Sequence, residues 1–281
     1  MKVRAYFAIA RPSQWLKNLM VFFPPFLSGS LFHSGVFLRN VLPFAAFCLA
    51  SSATYMVNDV MDAKLDSFHP RKCFRPLPAG DVTRTSVIAL AFMLAMSSLL
   101  LAWIVKGFFL LYLALYLVIS VAYSLKFKHQ PIIDIFCIAF GFVLRLYGGG
   151  AAFGVLISDW LFLTVFLLAV FLGFGKRVSE KLQLGKAAGN HRQTLDVYPD
   201  GFLESAMYLS GASVLVTYSL YAIATPLMVY TVPLCLFGLL RYLLLVKTGS
   251  DGDPTSALIK DGSLLLTGVM WVALVGLAVY R

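Results

Sequence analysis

Long apolar runs alternate with short polar segments along almost the whole chain. Runs such as 87–105 and 108–125 are apolar on every side, unlike the one-sided stripe of a soluble helix or the alternation of a half-buried strand. A helix needs about 20 residues to cross roughly 30 Å of hydrocarbon. The pattern therefore predicts an all-α, polytopic integral membrane protein whose nine transmembrane helices lie at residues 15–35, 39–58, 84–105, 108–125, 131–152, 157–175, 202–223, 227–246 and 262–280.

The composition supports this interpretation. Hydrophobic types make up 60% of the 281 residues and charged types 13%, against about 45–50% and 25% in soluble domains. An ordinary soluble globule and a disordered chain are therefore excluded. The four cysteines are scattered singly, without the spacing of a metal site or a disulfide framework. We find no separate soluble domain or linker, so we expect one transmembrane domain over residues 1–281.

The positive charge is placed asymmetrically. The chain has 23 basic and 13 acidic residues and a net charge of +10, but no basic stripe interleaved with aromatic residues, so no nucleic-acid partner is expected. Most Lys and Arg fall at the N-terminus and in the loops after the even-numbered spans. Under the positive-inside rule, we expect a multi-pass protein of the cell's inner membrane with its N-terminus in the cytoplasm. The two long loops, at about 59–83 and 176–201, then place any chemistry at a cytoplasmic mouth.

The end of the second predicted span carries a cluster of oxygen ligands. Asn58, Asp62 and Asp66 follow one another at four-residue intervals, which stacks their side chains on one face of a continuing helix, and Asp59 lies beside them. Such carboxylates are costly at a membrane edge unless a cation neutralises them. An all-oxygen set suits a hard ion, so Asn58, Asp62 and Asp66 predict an Mg2+ site.

A basic segment follows directly. Lys72 and Arg75 can bind phosphate groups, Arg with two parallel donors and Lys as a point charge. The combination of NDxxDxxxD at 58–66 with HPxKxxRPxxxG at 69–80 resembles the first motif of the UbiA superfamily of intramembrane prenyltransferases. The resemblance implies nine helices around a central cavity open to the cytoplasm. It also implies that Asn58, Asp59, Asp62 and Asp66 bind Mg2+ and a pyrophosphate, with the three aspartates as catalytic residues.

The second long loop points to a branch of this superfamily. It begins with basic residues at 175–180, where aromatic-prenylating members carry a second aspartate-rich motif. Asp196 and Asp200 have suitable spacing, but Pro199 interrupts the helix that would align them, so we expect solvated loop residues. Together, residues 11–18, 123–126 and 175–180 are similar to the decaprenyl-phosphate phosphoribosyltransferase subgroup. This similarity implies transfer of 5-phosphoribose from phosphoribosyl pyrophosphate to a polyprenyl phosphate.

Further residues are candidates for holding the two phosphate groups and the ribose. Arg145 lies inside an apolar span, where a charge usually faces a cavity or a partner. Asp134 lies about three turns away, so a direct pair within the helix is implausible. For residues 148–150, three consecutive glycines, we favour close helix packing. The complete set of predicted substrate-binding residues is Lys17, Asn58, Lys72, Arg75, Tyr123, Lys126, Arg145, Lys176, Arg177 and Glu180.

Two other functions stay open at this point. A prenyltransferase would instead move an allylic group from its diphosphate to an aromatic or other small acceptor. A membrane transporter would also be polytopic, but its polar residues would more often lie near the bilayer midplane than at one mouth. A homo-oligomer is compatible with the sequence.

Overall fold

Helices form all the regular structure of the described residues. The computed structural model describes residues 2–31, 37–68, 72–184, 193–249 and 252–281. Its α-helices, numbered α1 to α12 in chain order, are Lys2–Ala10, Phe23–Leu27, Phe37–Asp66, Arg84–Val105, Phe109–Leu125, Ile133–Phe153, Asp159–Leu184, Gln193–Val197, Phe202–Ile223, Val232–Lys247, Pro254–Lys260 and Gly262–Val279. Short 3-10 helices lie at Pro12–Phe22, Lys72–Phe74, Phe127–His129 and Met228–Thr231.

Most of the predicted spans are present as helices. Within the described ranges, seven helical segments are long and apolar enough to cross a membrane, and each matches a predicted span. Helix α5 (Phe109–Leu125) matches an eighth but has only 17 residues. The all-helical prediction is confirmed, and the protein is a multi-pass membrane protein.

The first predicted span, 15–35, differs from the structure. A 3-10 helix at Pro12–Phe22 is followed by the short α2, and residues 32–36 lie outside the described part of the chain. Pro24 and Pro25 lie in the first turn of α2, where a helix tolerates proline because those N–H groups have no partner anyway. They cannot donate the hydrogen bonds that would continue the preceding helix. The paired prolines therefore start a new helix here.

Two helices extend well beyond the predicted spans. Helix α3 ends at Asp66 and α7 ends at Leu184, although their apolar runs end near residues 58 and 175. The extensions, residues 59–66 and 176–184, contain neither proline nor glycine, so nothing in them breaks a helix. A change in hydrophobicity marks the membrane boundary and does not mark the helix end. As a result, the first charged residues of both predicted long loops lie on the last turns of α3 and α7.

The chain divides into two compact units, the first formed by residues 1–23, 32–130 and 144–155. In its core the ring of Phe47 packs edge-on against Phe109 and Tyr116, at centroid distances of 5.7 and 5.6 Å. A Cβ atom on Gly149 would lie 2.2 Å from the carbonyl oxygen of Val21. A Cβ atom on Gly148 would lie 2.8 Å from the Phe47 ring, so the predicted close packing is confirmed at Gly148 and Gly149.

The second unit consists of residues 24–31, 131–143 and 156–281. Its core contains Phe171, Met207 and Tyr242, all buried. The hydroxyl of Tyr242 donates a hydrogen bond to the carbonyl of Gly252 at 2.9 Å. The Asp253 carboxylate accepts from two N–H groups at the start of α11 (Pro254–Lys260), which caps this short helix.

Candidate active site

The predicted acidic face forms at the end of α3 in the first unit. Because the helix continues to Asp66, Asn58 and Asp62 are one turn apart, and the Asn58 amide donates a hydrogen bond to Asp62 Oδ2 at 3.0 Å. Asp59 and Asp66 are buried, with 3% and 5% of their surface exposed, whereas Asp62 is half-buried. Three carboxylates thus lie in a region where charged groups need compensation.

Cations from the following loop supply part of that compensation. Arg75 Nη1 donates to both Asp59 Oδ1, at 3.2 Å, and Asp66 Oδ2, at 2.6 Å. Lys72 Nζ lies 3.8 Å from Asp66 Oδ1. The 3-10 turn at Lys72–Phe74 brings both basic side chains back to the helix. Six of the predicted site residues, Asn58, Asp59, Asp62, Asp66, Lys72 and Arg75, therefore lie together.

Two further cations complete the cluster, and the sequence did not single them out. Lys128 Nζ lies 2.5 Å from Asp62 Oδ1, and the Lys128 side chain is 10% exposed. Arg11 bonds to Asp59 Oδ1, and its guanidinium lies 5.2 Å from the centroid of the Tyr55 ring. Each comes from a distant segment, so no local spacing could reveal it. We call these seven charged residues the acid–base cluster: Arg11, Asp59, Asp62, Asp66, Lys72, Arg75 and Lys128.

The charges of the acid–base cluster favour an anionic ligand. Four cations face three carboxylates, which leaves a formal excess of one positive charge among the described residues. Every carboxylate has at least one basic partner, which offsets the cost of removing it from water. The excess positive charge attracts an anion. The N–H groups of the Arg and Lys side chains around the carboxylates can donate hydrogen bonds to phosphate oxygens.

The donor set at the end of α3 fits a divalent metal. Asn58 Oδ1 is buried and accepts no hydrogen bond within the described structure. It lies beside Asp62, whose two oxygens each have capacity for a second contact. An amide oxygen without a donor next to a carboxylate suits a hard cation such as Mg2+. The described residues contain no group of three or more His, Cys, Asp or Glu already gathered for a metal.

The structure places Lys126 differently from Lys128. Helix α5 ends at Leu125, and the Lys126 side chain after it is exposed, whereas Lys128 is buried against Asp62. Among the described contacts, Lys128 and not Lys126 reaches the acid–base cluster. Lys17 and Tyr123 are also predicted substrate-binding residues. Both are half-buried and belong to the first unit.

Arg145 belongs to a separate buried network in the first unit. Its Nε donates to Asn18 Oδ1 at 2.7 Å and its Nη2 to the Tyr116 hydroxyl at 3.0 Å. The guanidinium lies 4.5 Å from the centroid of the Tyr116 ring, within cation–π range. The Asn18 amide in turn donates to Ser51 Oγ at 3.1 Å. These contacts tie together segments of the first unit and give Arg145 a clear structural role.

In the second unit, the predicted residues of α7 make their own ion pairs. Arg177 is 1% exposed, and its guanidinium donates to Asp134 at 3.0 Å and to Glu180 at 2.7 Å. Asp134 thus pairs with Arg177, which agrees with the expectation that it does not pair with Arg145. Lys176 is more exposed and its Nζ lies 3.9 Å from Asp253 Oδ2. Of this group, Lys176 has the cation most accessible to a ligand.

The second aspartate pair lies on the surface, as predicted. The helix Gln193–Val197 ends before Pro199, and the side chains of Asp196 and Asp200 are exposed. Asp200 is 3.0 Å from Lys181 Nζ. Both residues are loop acids in contact with solvent. The basic residues Lys186 and Arg192 of the same loop, and His69 and Arg71 of the first loop, lie outside the described residues.

Comparisons with known proteins show the family to which this chain belongs. The model of the UbiA prenyltransferase family matches residues 22–267. The decaprenyl-phosphate phosphoribosyltransferase of Mycolicibacterium smegmatis is 33% identical, over 96% of this chain and 91% of its own. The decaprenyl-phosphate phosphoribosyltransferase of Mycobacterium tuberculosis is 32% identical, over 96% of this chain and 92% of its own. A UbiA homolog from Archaeoglobus fulgidus, solved bound to GPP and Mg2+, superposes with a TM-score of 0.78 at 20% identity, covering 98% of this chain and 99% of its own. This chain is therefore a member of the UbiA prenyltransferase family.

Proposed function

We propose that this protein is an Mg2+-dependent decaprenyl-phosphate phosphoribosyltransferase. It transfers 5-phosphoribose from phosphoribosyl pyrophosphate to a polyprenyl phosphate and releases pyrophosphate. Relatives with this activity in their names match 96% of the chain. The single observation that carries the proposal is the acid–base cluster, in which an all-oxygen metal-type donor set and four cations meet at one helix end.

The reaction requires little acid–base chemistry from the protein. An oxygen of the lipid phosphate forms a bond to C1 of the ribose while the bond from C1 to the pyrophosphate oxygen breaks. The electron pair of that bond leaves with the pyrophosphate. Because the attacking phosphate is already anionic at neutral pH, no strong general base is needed. Positioning of the two substrates and stabilisation of the leaving group then supply most of the rate enhancement.

Asn58, Asp62 and Asp66 are the proposed Mg2+ ligands. When bound there, Mg2+ would supply Lewis-acid stabilisation of the negative charge on the departing pyrophosphate. Lys128 positions Asp62 through the 2.5 Å contact to its Oδ1, which leaves Oδ2 beside Asn58. The chain thus orients the donor set before any ligand binds.

Arg75 and Lys72 are the proposed donors to the pyrophosphate. Arg75 is held by Asp59 and Asp66 and is 30% exposed, so part of its guanidinium faces outward. Asp59 is fixed between Arg11 and Arg75, which makes it a positioning residue for Arg75. Lys72 is half-buried and its contact with Asp66 is long, so it can turn towards a phosphate at small cost.

The remaining predicted residues divide by accessibility. Lys17, Lys126 and Lys176 are exposed or half-buried cations and are proposed ligands of the 5-phosphate and the lipid phosphate. Arg145 and Arg177 are buried with hydrogen-bonded partners and are proposed positioning residues. Glu180 is a proposed ligand of the ribose hydroxyls, for which Asp59 is also available, and Tyr123 is a proposed substrate ligand.

We place the protein in the cell's inner membrane, with the acid–base cluster and the N-terminus on the cytoplasmic side. The uneven distribution of Lys and Arg between the loops supports this orientation. The substrate also supports it, because a charged sugar phosphate made in the cytoplasm would reach the site without crossing the bilayer. The nine-helix arrangement around a cavity open on this side is part of the same proposal.

A product assay tests the proposed function. Purified protein is incubated with Mg2+, phosphoribosyl pyrophosphate labelled in the ribose and polyprenyl phosphates of several lengths. We expect mass spectrometry to detect labelled lipid and one pyrophosphate released for each lipid formed, and EDTA to abolish both. A parallel incubation with an allylic diphosphate and an aromatic acceptor tests the prenyltransferase alternative. Prenylated product in that reaction, with no labelled lipid in the first, would contradict the proposal.

A further inference from the structure

A cavity lies against α3 outside the acid–base cluster. It has a volume of about 400 Å³ and is lined by the end of α3, the following loop and the start of α4 (Arg84–Val105). Its apolar lining includes Val60, Met61, Leu77 and Val82, and its charged lining consists of Lys64 and Arg84. The lining therefore combines hydrocarbon surface with two cations and contains no acid.

The cavity and the acid–base cluster use opposite faces of the same helix. With 3.6 residues per turn, Val60 and Lys64 each lie about 200° around the helix axis from Asp62. Asn58, Asp62 and Asp66 share the other face through their four-residue spacing. A ligand in the cavity therefore does not compete with one at the carboxylates.

The cavity wall is rigid. Val60 and Val82 belong to a buried apolar cluster with Ile9, Met56 and Val87. The start of α4 is fixed by its cap, where Thr83 Oγ1 accepts a hydrogen bond from the Ser86 N–H at 3.3 Å. These contacts hold the wall in place without help from a ligand.

The two cations of the cavity are available to a ligand. Lys64 and Arg84 are exposed, and neither forms an ion pair with a described residue. By contrast, Arg11, Arg75 and Lys128 of the same unit are all paired with aspartates. An anion in the cavity would therefore gain two cationic partners without breaking an ion pair among the described residues.

The position of the cations points to a lipid. Lys64 lies in the last turn of α3, beyond its apolar run, and Arg84 is the first residue of α4, where the next apolar run begins, so both lie on the polar side of the membrane boundary. Ile88 and Phe92 follow Arg84 at four-residue intervals and are 51% and 64% exposed. One helix face thus presents a cation at the boundary and an apolar strip running into the membrane. This is the pattern that matches a phosphate headgroup joined to an acyl chain.

We propose that this cavity binds an anionic glycerophospholipid. The lipid phosphate accepts hydrogen bonds from Lys64 and Arg84, and an acyl chain packs along Ile88 and Phe92. The apolar lining of Val60, Leu77 and Val82 contacts the hydrocarbon of the lipid next to its headgroup. This site is independent of the proposed transferase activity, because it uses the other face of α3.

Lipid binding to the purified protein tests the site. Native mass spectrometry in detergent measures the affinity for phosphatidylglycerol and for phosphatidylcholine of the same chain length. We expect tighter binding of phosphatidylglycerol, and a loss of roughly 10- to 30-fold in the double variant Lys64→Gln/Arg84→Gln, since each cation near a lipid surface contributes about 1 kcal/mol. Both side chains are exposed, so the variant is expected to fold.

A matched control separates a specific site from overall charge. The double variant Lys106→Gln/Lys260→Gln removes the same charge at two exposed positions outside the cavity and is expected to keep full affinity. An equal loss in this control, or equal affinity of the unaltered protein for the two lipids, would overturn the proposal. Glycerol 3-phosphate at millimolar concentration serves as a competitor. Displacement of the lipid by this soluble headgroup would identify a free-phosphate site and would also overturn it.

Discussion

Lys128 Nζ lies 2.5 Å from Asp62 Oδ1, although the two residues are 66 positions apart in the sequence. The contact joins the segment after α5 to the metal-type donor set at the end of α3. Asp62 is bonded on its other oxygen by Asn58. The carboxylate proposed to bind Mg2+ is thus oriented by a buried ammonium and a neighbouring amide.

We expect Lys128→Met to reduce kcat/KM for phosphoribosyl pyrophosphate by roughly 30- to 100-fold. A hydrogen bond between two charged groups, partly buried, contributes about 2–3 kcal/mol, and the apolar replacement leaves Asp62 without its ammonium partner. Steady-state kinetics of the purified variant measure the effect. Lys128→Arg should recover part of the activity, and Lys106→Met serves as the control at an exposed lysine. Wild-type kinetics in Lys128→Met would remove this residue from the site.

Arg75→Lys is expected to raise KM for phosphoribosyl pyrophosphate by about 10-fold or more. Arg75 reaches Asp59 and Asp66 with one nitrogen and keeps part of its guanidinium available, a geometry that the single ammonium of lysine does not reproduce. The same assay should find a smaller change in KM for the polyprenyl phosphate. Equal changes for both substrates would indicate that Arg75 only stabilises the fold.

Gly149→Ala should lower the apparent Tm in detergent. The new Cβ would lie 2.2 Å from the Val21 carbonyl oxygen, so backbone has to move, and overpacking of this kind costs about 1–3 kcal/mol or more. The matched control is Gly238→Ala in α10 (Val232–Lys247), where a Cβ meets nothing within 4 Å. Alanine there should leave Tm unchanged or raise it, because alanine favours helix over glycine. An equal Tm for the two variants would contradict the packing.

Asp261 provides a pH-dependent contribution to stability. Hydrogen bonds from Arg241 and from the Leu264 N–H hold the pKa of the Asp261 carboxyl below its usual value. A lowered pKa in the folded state stabilises the protein above the unfolded pKa, and this stabilisation is lost as the pH falls through the folded pKa. Asp261→Asn should therefore lower Tm at pH 7, with a difference that shrinks below about pH 4. A difference that is constant from pH 7 to pH 3 would contradict this assignment.

Local patterns explain which features the sequence could predict. Nearly all spans follow from apolar runs of sufficient length, and the face shared by Asn58, Asp62 and Asp66 follows from the helical period. The first span is interrupted at Pro24 and Pro25, where a new helix starts. The prediction that the helix of the second span continues to Asp66 is confirmed, whereas α7 continues beyond its predicted span to Leu184, because hydrophobicity reports the membrane boundary only.

Long-range pairing explains what the sequence could not predict. Arg11 and Lys128 reach aspartates 48 and 66 residues away, and Arg145 reaches Asn18 across 127 residues. From the sequence, Arg11 and Lys128 resemble the other basic residues of the loops, and the position of Arg145 in an apolar span indicates a buried partner without identifying it. Only the packing of the helices reveals which cations meet the carboxylates.

The most direct test of the account is the turnover of the variant Asp62→Asn. The variant is incubated with phosphoribosyl pyrophosphate and polyprenyl phosphate in the presence of Mg2+, and mass spectrometry measures the lipid product. The substitution keeps the size of the side chain and removes the charge proposed to bind the metal. Asp200→Asn, at an exposed loop aspartate, is the control. We expect Asp62→Asn to lose at least about 100-fold in turnover while its apparent Tm stays within a few degrees of the unaltered protein. Turnover close to that of the unaltered protein would contradict the proposed metal site.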